Sequence, residues 1–170
     1  DAFFFGSLAY LLIISVLLLV FLTLMFMFRK RALNNANVVM MRGKKANKVA
    51  TKRLRVANSL MLANRSSEFY DEVLRALWGY VGDKFNIPVE HLSRENINDI
   101  LNEKGVEETV ISNFVGALDE CEYQRYAPGD AKGNMNKTFE SAMTAIMKIE
   151  ETVKKAKKAG ATLSLLILLL

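Results

Sequence analysis

From Ala2 to Phe28 the chain runs for 27 residues without a charge, and no other feature limits its fold so severely. As an α-helix rising about 1.5 Å per residue, this stretch is long enough for a bilayer core of about 30 Å. Phe3, Phe4, Phe5, Leu11, Leu12, Ile13, Ile14, Leu17, Leu18, Leu19 and Phe21 fall all round such a helix, not along one stripe. A buried core helix is a poor alternative, because a domain within a 170-residue chain cannot enclose so long a run. Ser7, Ser15 and Thr23 are tolerable, since their hydroxyls can bond to carbonyls one turn back. A cleaved signal peptide would have a shorter apolar region, with its positive charges before it. Here Arg29, Lys30 and Arg31 follow immediately. By the positive-inside rule that end faces the cytoplasm and Asp1 lies outside. The sequence thus predicts a transmembrane helix over residues 1–28 and excludes a wholly soluble chain. A start at Asp1, not at a methionine, reads as a piece or processed product of a longer chain.

The net charge of +5 conceals a strong partition. Residues 29–65 hold eleven basic side chains and no acidic one; residues 66–153 hold 8 basic against 17 acidic. Lys154, Lys155, Lys157 and Lys158 then restore positive charge before an apolar end. Four parts follow: a transmembrane helix (1–28), a basic juxtamembrane linker (29–45), a helical cytoplasmic domain (46–155) and an apolar tail (156–170). No aromatic residue lies between Arg29 and Arg65 to stack on a base, so nucleic acid is not the expected partner. Membrane lipid is: Arg29, Lys30, Arg31, Arg42, Lys44 and Lys45 suit anionic headgroups, each cation worth about 1 kcal/mol near such a surface. Further along, Ala46, Ala50, Leu54, Ala57 and Met61 share one helix face, with the basic residues between them expected to point elsewhere.

Four more helices can be read from caps and periodicity. One starts at Ser66 or Ser67, buries Phe69, Val73, Leu74, Leu77, Trp78 and Val81, and ends at Asn86-Ile87-Pro88, since the residue before proline avoids the helical region. Ser93 is the clearest N-cap, with Leu92 and Ile97 at the two positions of a hydrophobic staple. Its helix stops at Gly105, which suits a left-handed residue. The next spans about Glu107 to Glu122 on Val110, Ile111, Phe114, Val115 and Leu118. The last spans about Asn134 to Lys155 on Met135, Phe139, Ala142, Met143, Ile146, Ile149 and Val153. Strict two-residue alternation is nowhere found, so no sheet is expected. The fold class is all-α: one transmembrane helix, a basic juxtamembrane helix and a small cytoplasmic bundle of about five helices. In the tail, the basic residues followed by Ala159–Leu170 read as a truncated second span or a signal-like segment, twelve helical residues reaching only about 18 Å.

Catalytic patterns are scarce. Arg42-Gly43-Lys44-Lys45 lacks the earlier glycine and the Ser/Thr of a phosphate-binding loop. Gly79-Tyr80-Val81-Gly82 has the GxxG spacing of a nucleic-acid loop but lies within a helical apolar pattern, where small residues more often admit a neighbouring helix. One cysteine excludes an internal disulfide, and Cys121 with His91 is too few ligands for structural zinc. Glu120 and Glu122 raise the Cys121 thiol pKa instead of activating it. Glu107-Glu108 and Glu150-Glu151 are adjacent, so the members of each pair point in different directions. No metal, cofactor or catalytic residue is expected. Asn64-Arg65-Ser66 and Asn136-Lys137-Thr138 match the glycosylation pattern, which a cytoplasmic domain would never use.

Tyr123-Gln124-Arg125-Tyr126-Ala127-Pro128 stands apart, with two tyrosines flanking an arginine at a helix end. Such residues are over-represented in binding hot spots, which makes Tyr123, Arg125, Tyr126 and Pro128 the candidate partner-binding residues. The alternative is that both rings close the core and Arg125 caps the preceding helix.

Four groups of segments stand in one order: Ala46-Asn47-Lys48-Val49-Ala50 with Lys52-Arg53-Leu54; Phe69-Tyr70 and Ala76-Leu77-Trp78-Gly79-Tyr80 through Asp83-Lys84; Asn86-Ile87-Pro88 with Leu92-Ser93-Arg94-Glu95-Asn96-Ile97; and Leu118-Asp119-Glu120-Cys121-Glu122-Tyr123 with Arg125-Tyr126-Ala127-Pro128. In these the chain resembles the C-terminal part of the BatD-type aerotolerance proteins of Gram-negative envelopes. The resemblance covers about Ala46 to Lys154 and implies a non-enzymatic component of the bacterial inner membrane. It also implies partners, a MoxR-type ATPase and von Willebrand A domain membrane proteins, and a β-rich region preceding Asp1. No catalytic residue is implied. The expected function is therefore a membrane-anchored scaffold of an envelope stress complex. Its rivals are an anionic-lipid-binding surface module and an enzyme accessory subunit with a pocket around Trp78, His91 and Cys121.

Overall fold

The computed structural model describes residues 8–126 and 131–168, in two compact units, Asp1–Met41 and Arg42–Leu170. It is all-helical: α1 (Leu8–Leu62), α2 (Ser66–Phe85), a 3-10 turn (Val89–His91), α3 (Ile97–Glu103), α4 (Glu108–Tyr126) and α5 (Ala131–Leu168), with no strand among the described residues. Residues 29–45, expected as a linker, are part of α1. Nothing between Arg31 and Arg42 breaks a helix: the stretch is Ala, Leu, Asn, Val and Met, with neither glycine nor proline.

In the first unit every side chain from Leu11 to Met41 is exposed. The Ser15 hydroxyl donates to the Leu12 carbonyl at 3.0 Å and that of Thr23 to Val20 at 2.8 Å, so these polar groups are satisfied within the helix. Among the described residues α1 is the one helix long and apolar enough to cross a membrane.

The second unit has a single core. Ala46, Ala50, Leu54 and Ala57 of α1 are buried in it, which is the face that the alanine spacing marks, and Met61 is half-buried. Helix α2 is the central element. It packs against α4 and α5 and buries Phe69, Tyr70, Val73, Ala76, Leu77, Tyr80 and Val81 almost completely. Helices α4 and α5 pack on each other, and α3 packs on α4. Helix α4 runs past the expected Glu122 to Tyr126, because Gln124 is itself buried and donates to Glu120 at 2.9 Å. Helix α5 runs through the expected tail to Leu168; Gly160, at a cost of about 1 kcal/mol against alanine, does not interrupt it.

Three helices end in the same way. A left-handed residue follows the last turn, and the next amide reaches back to the carbonyl five residues earlier. For α1 these are Asn64 (φ 57°) and Arg65 N–H to Leu60 O, 3.0 Å. For α2 they are Asn86 (φ 52°) and Ile87 N–H to Gly82 O, 2.9 Å, and for α3 Gly105 (φ 76°) and Val106 N–H to Leu101 O, 3.1 Å. Buried Leu101 and Val106 supply the apolar pair that accompanies this motif.

Capping at the N-termini departs from expectation. Helix α2 starts at Ser66 with Arg65 in the cap position and no side-chain cap; Arg65 bonds to Glu68 instead. Ser93 does not cap through its hydroxyl. Asn96 Oδ1 accepts from the Ser93 amide at 2.9 Å, and its Nδ2 donates to the His91 carbonyl at 2.6 Å. That is the returning half of a capping box, with the regular helix beginning at Ile97. The GxxG pair likewise does not admit a helix. A Cβ on Gly82 would stand 3.1 Å from the Ile87 carbonyl, in the loop that follows α2, while Gly79 faces open space.

Candidate functional site

Between α2, α4 and the 3-10 turn the second unit carries an open cleft of about 660 Å³. Helix α2 contributes Asp71, Leu74, Arg75, Trp78 and Gly79, one turn apart along a single face. Val89 of the 3-10 turn, Glu122, Arg125 and Tyr126 of α4, and Arg53 of α1 complete its lining.

Here two of the residues singled out from the sequence meet. Arg125 and Tyr126 are on the last turn of α4, so they belong to a regular helix and not to an irregular end. Neither ring closes the core: Tyr123 is 63% and Tyr126 83% exposed. The Arg125 guanidinium lies 5.9 Å from the Tyr126 ring centroid, within cation–π range, and its Nε is 3.3 Å from Asp71 Oδ1. That second contact is an ion pair without hydrogen-bond alignment, since the same oxygen is buried with no hydrogen-bond partner. Tyr123 is not on the cleft wall, and Pro128 lies outside the described residues.

Arg53 is the residue that pattern reading misplaces. Lys48, Lys52 and Arg55 are exposed as expected, but Arg53 is half-buried and donates to Glu72 Oε1 at 3.2 Å. Arg75 approaches the other oxygen of Glu72 at 3.8 Å. Three arginines around the cleft are thereby balanced by Asp71, Glu72 and Glu122. The cleft is close to electroneutral although residues 66–153 carry a large acidic excess. Guanidinium groups, an indole and a phenol thus line one groove, residue types that are enriched at binding hot spots in general.

The second cluster has no signature in the sequence. Tyr80 donates to Glu150 Oε2 at 2.6 Å, Lys84 to Glu150 Oε1 at 2.8 Å, and Lys84 also approaches the Gly43 carbonyl at 3.4 Å. Lys84 and Glu150 are only 10% and 11% exposed, so one ammonium ties α2 to both α1 and α5 inside the protein. Burial pushes the Glu150 carboxyl up, but the bonds from Lys84 and Tyr80 and the charges of Lys84 and Lys154 outweigh it, and the net direction is down. Burial and then Glu150 push the Tyr80 phenol far above its ordinary value. Glu151, as its adjacency to Glu150 requires, points away to solvent and pairs with Lys155 at 2.8 Å. Tyr80 and Lys84 stand one turn apart on α2, but nothing in the sequence brings Glu150 to them.

Of the alternative pocket, Trp78 lines the cleft, while His91 is exposed on the 3-10 turn and Cys121 is fully buried. Burial, with Glu120 and Glu122, pushes the Cys121 thiol up to about 12. Tyr70 is raised to about 12 by burial, Glu120 and Cys121, and its buried hydroxyl has no hydrogen-bond partner. Among the described residues no group of three or more His, Cys, Asp or Glu is placed to hold a metal ion. The six basic residues expected to face lipid, Arg29, Lys30, Arg31, Arg42, Lys44 and Lys45, are all exposed.

Comparison with protein families, with curated proteins and with solved structures gives no match to this chain.

Proposed function

We propose that the chain is a membrane-anchored, non-enzymatic scaffold whose helical domain binds other envelope proteins from the cytoplasmic side. The observation that carries this is the exposed apolar run Leu8–Phe28, followed in the same helix by cations and then by a face buried in a domain core. Water would penalise these 18 exposed apolar residues heavily, whereas lipid would not. The cleft walled by Trp78, Arg125 and Tyr126 is the proposed contact, and the acidic excess of the domain steers a partner of opposite charge toward it. In line with the resemblance to BatD-type proteins, the proposed setting is an aerotolerance or stress complex of the bacterial inner membrane. The proposed partners are a MoxR-type ATPase and von Willebrand A domain membrane proteins.

Affinity recovery from native membranes, read by mass spectrometry, tests the partner. Arg125→Ala and Tyr126→Ala should each weaken recovery by about 2 kcal/mol while the protein stays folded. Recovery lost only in proportion to unfolding would make the motif structural. Orientation needs a reporter other than Cys121, whose burial and raised pKa prevent labelling on either side of a membrane. In a Cys121→Ala background, Ser67→Cys should react with an impermeant thiol reagent only after spheroplasts are opened. Labelling of closed spheroplasts would reverse the topology.

A further inference from the structure

Lys84 marks a level in the second unit at which two helices, distant in sequence, leave the core together. Its Nζ lies 3.4 Å from the Gly43 carbonyl of α1 and 2.8 Å from Glu150 of α5. Along α1 toward lower numbers, burial ends at Ala46; along α5 toward higher numbers, it ends at Glu150, with Val153 half-buried and every residue from Lys154 to Ser164 exposed. Both helices therefore become exposed at the same end of the domain. Both also turn basic there: Arg42, Lys44 and Lys45 lie within one turn of Gly43, and Lys154 to Lys158 lie one to two turns beyond Glu150. Asp83, half-buried, and Glu151, paired with Lys155, are the acids beside them.

We propose that this end of the domain docks on an anionic lipid surface, with the two basic helix segments forming one collar and the apolar end of α5 entering the bilayer. This rests on the membrane-anchored reading given above. Three observations select lipid over a protein partner. Cations on α5 are followed at once by an uncharged run, Ala159 to Leu170, with Leu163 and Leu166 largely exposed. Lys154, Lys155, Lys157 and Lys158 line a shallow hollow with Ala161 and Glu151, the last paired with Lys155, an arrangement in which lysine carbon chains can lie on apolar surface while the ammonium groups reach water or headgroups. The same order of charge and apolarity, reversed in direction, is written in α1, where uncharged residues precede Arg29. The ten residues of the uncharged run that belong to α5, Ala159 to Leu168, suffice to enter the acyl boundary.

The full chain carrying Cys121→Ala and Leu166→Cys, labelled with an environment-sensitive fluorophore, is reconstituted into phosphatidylcholine vesicles with or without phosphatidylglycerol. Flotation of the vesicles reports anchoring; reporter emission reports docking. The expected result is co-flotation with both vesicles and a blue shift in the anionic ones alone, reversed by high salt. Single Lys→Gln exchanges at 154, 155, 157 or 158 should each weaken docking about fivefold. A chain that floats with neither vesicle overturns the anchor and this face with it. A chain that floats with both but shows the same emission in each, or is indifferent to the exchanges, overturns the docking face alone. A blue shift in phosphatidylcholine vesicles alone that grows with the protein-to-lipid ratio would overturn it in favour of a second copy of the chain.

Discussion

Leu17 and Leu54 are on one helix, and their surroundings are opposite: Leu17 is 63% exposed, Leu54 2%. The two halves of α1 differ in pattern before they differ in environment. Around Leu17 the apolar residues cover the whole helix, while around Leu54 they form a stripe of mainly alanines, with lysine and arginine elsewhere. A stripe needs one neighbouring surface, and alanines let that surface come close. A helix apolar all round needs a solvent. The comparison implies that identical substitutions in the two halves have different consequences. Leu54→Ala should cost about 3 kcal/mol, the usual range for a buried leucine, in thermal unfolding of the full chain in detergent. Leu17→Ala should move the same transition by less than about 0.5 kcal/mol. Leu17→Arg should leave unfolding unchanged and oppose insertion by about 3 kcal/mol, seen as loss of resistance to alkaline extraction. Equal unfolding costs at 17 and 54 would erase the distinction.

The next largest effect is expected where the second half of α1 is held by a charge. Glu150→Gln leaves Lys84 buried without its counter-ion and should destabilise the domain by about 3 kcal/mol. Its pH dependence has a definite sign. The folded carboxyl titrates below its ordinary value of 4.5, so its contribution is complete above that value and is lost as the pH falls through the depressed folded one. Glu150→Gln should therefore flatten the acid limb of the stability curve below pH 4.5. An unchanged acid limb would show that the pair does not hold α5 to α2.

A smaller effect contrasts two alanines. Ala50 is buried and Ala36 exposed. Ala50→Leu overpacks the core and should cost about 2 kcal/mol, while Ala36→Leu should be neutral to unfolding.

The architecture was legible where a residue's role is local. The alanine stripe, the left-handed Gly105 and the proline after α2 each act through their own neighbours in sequence, and the structure places them accordingly. Periodicity recovered Phe69, Val73, Leu77 and Val81 but not Tyr70, Ala76 and Tyr80, because α2 is surrounded and one-face counting stops at one face. The site was legible only in part for the same reason. Arg125 and Tyr126 are conspicuous by composition, whereas Arg53 and Asp71 join them across 54 to 73 residues. The Tyr80–Glu150–Lys84 cluster is invisible to pattern reading, since a buried glutamate and an exposed one look alike as letters. Only the change of direction between Glu150 and Glu151 could be foreseen.

The smallest expected effect tests the same contrast of open and occupied surroundings within α2. Alanine is favoured over glycine in a helix by about 0.8–1.0 kcal/mol. At Gly79 a Cβ meets nothing within 4 Å, so Gly79→Ala should recover most of that gain and raise the unfolding temperature. At Gly82 the new carbon would stand 3.1 Å from the Ile87 carbonyl, in a residue whose own amide is bonded back to the Gly82 carbonyl. The loop must then give by a few tenths of an ångström, and the propensity gain is offset. Gly82→Ala should be neutral or mildly destabilising, and the two variants should differ by about 1 kcal/mol. Were both to stabilise equally, the loop after α2 would be looser than its hydrogen bonds imply, and the part of the cleft that Val89 lines would be adaptable instead of preformed.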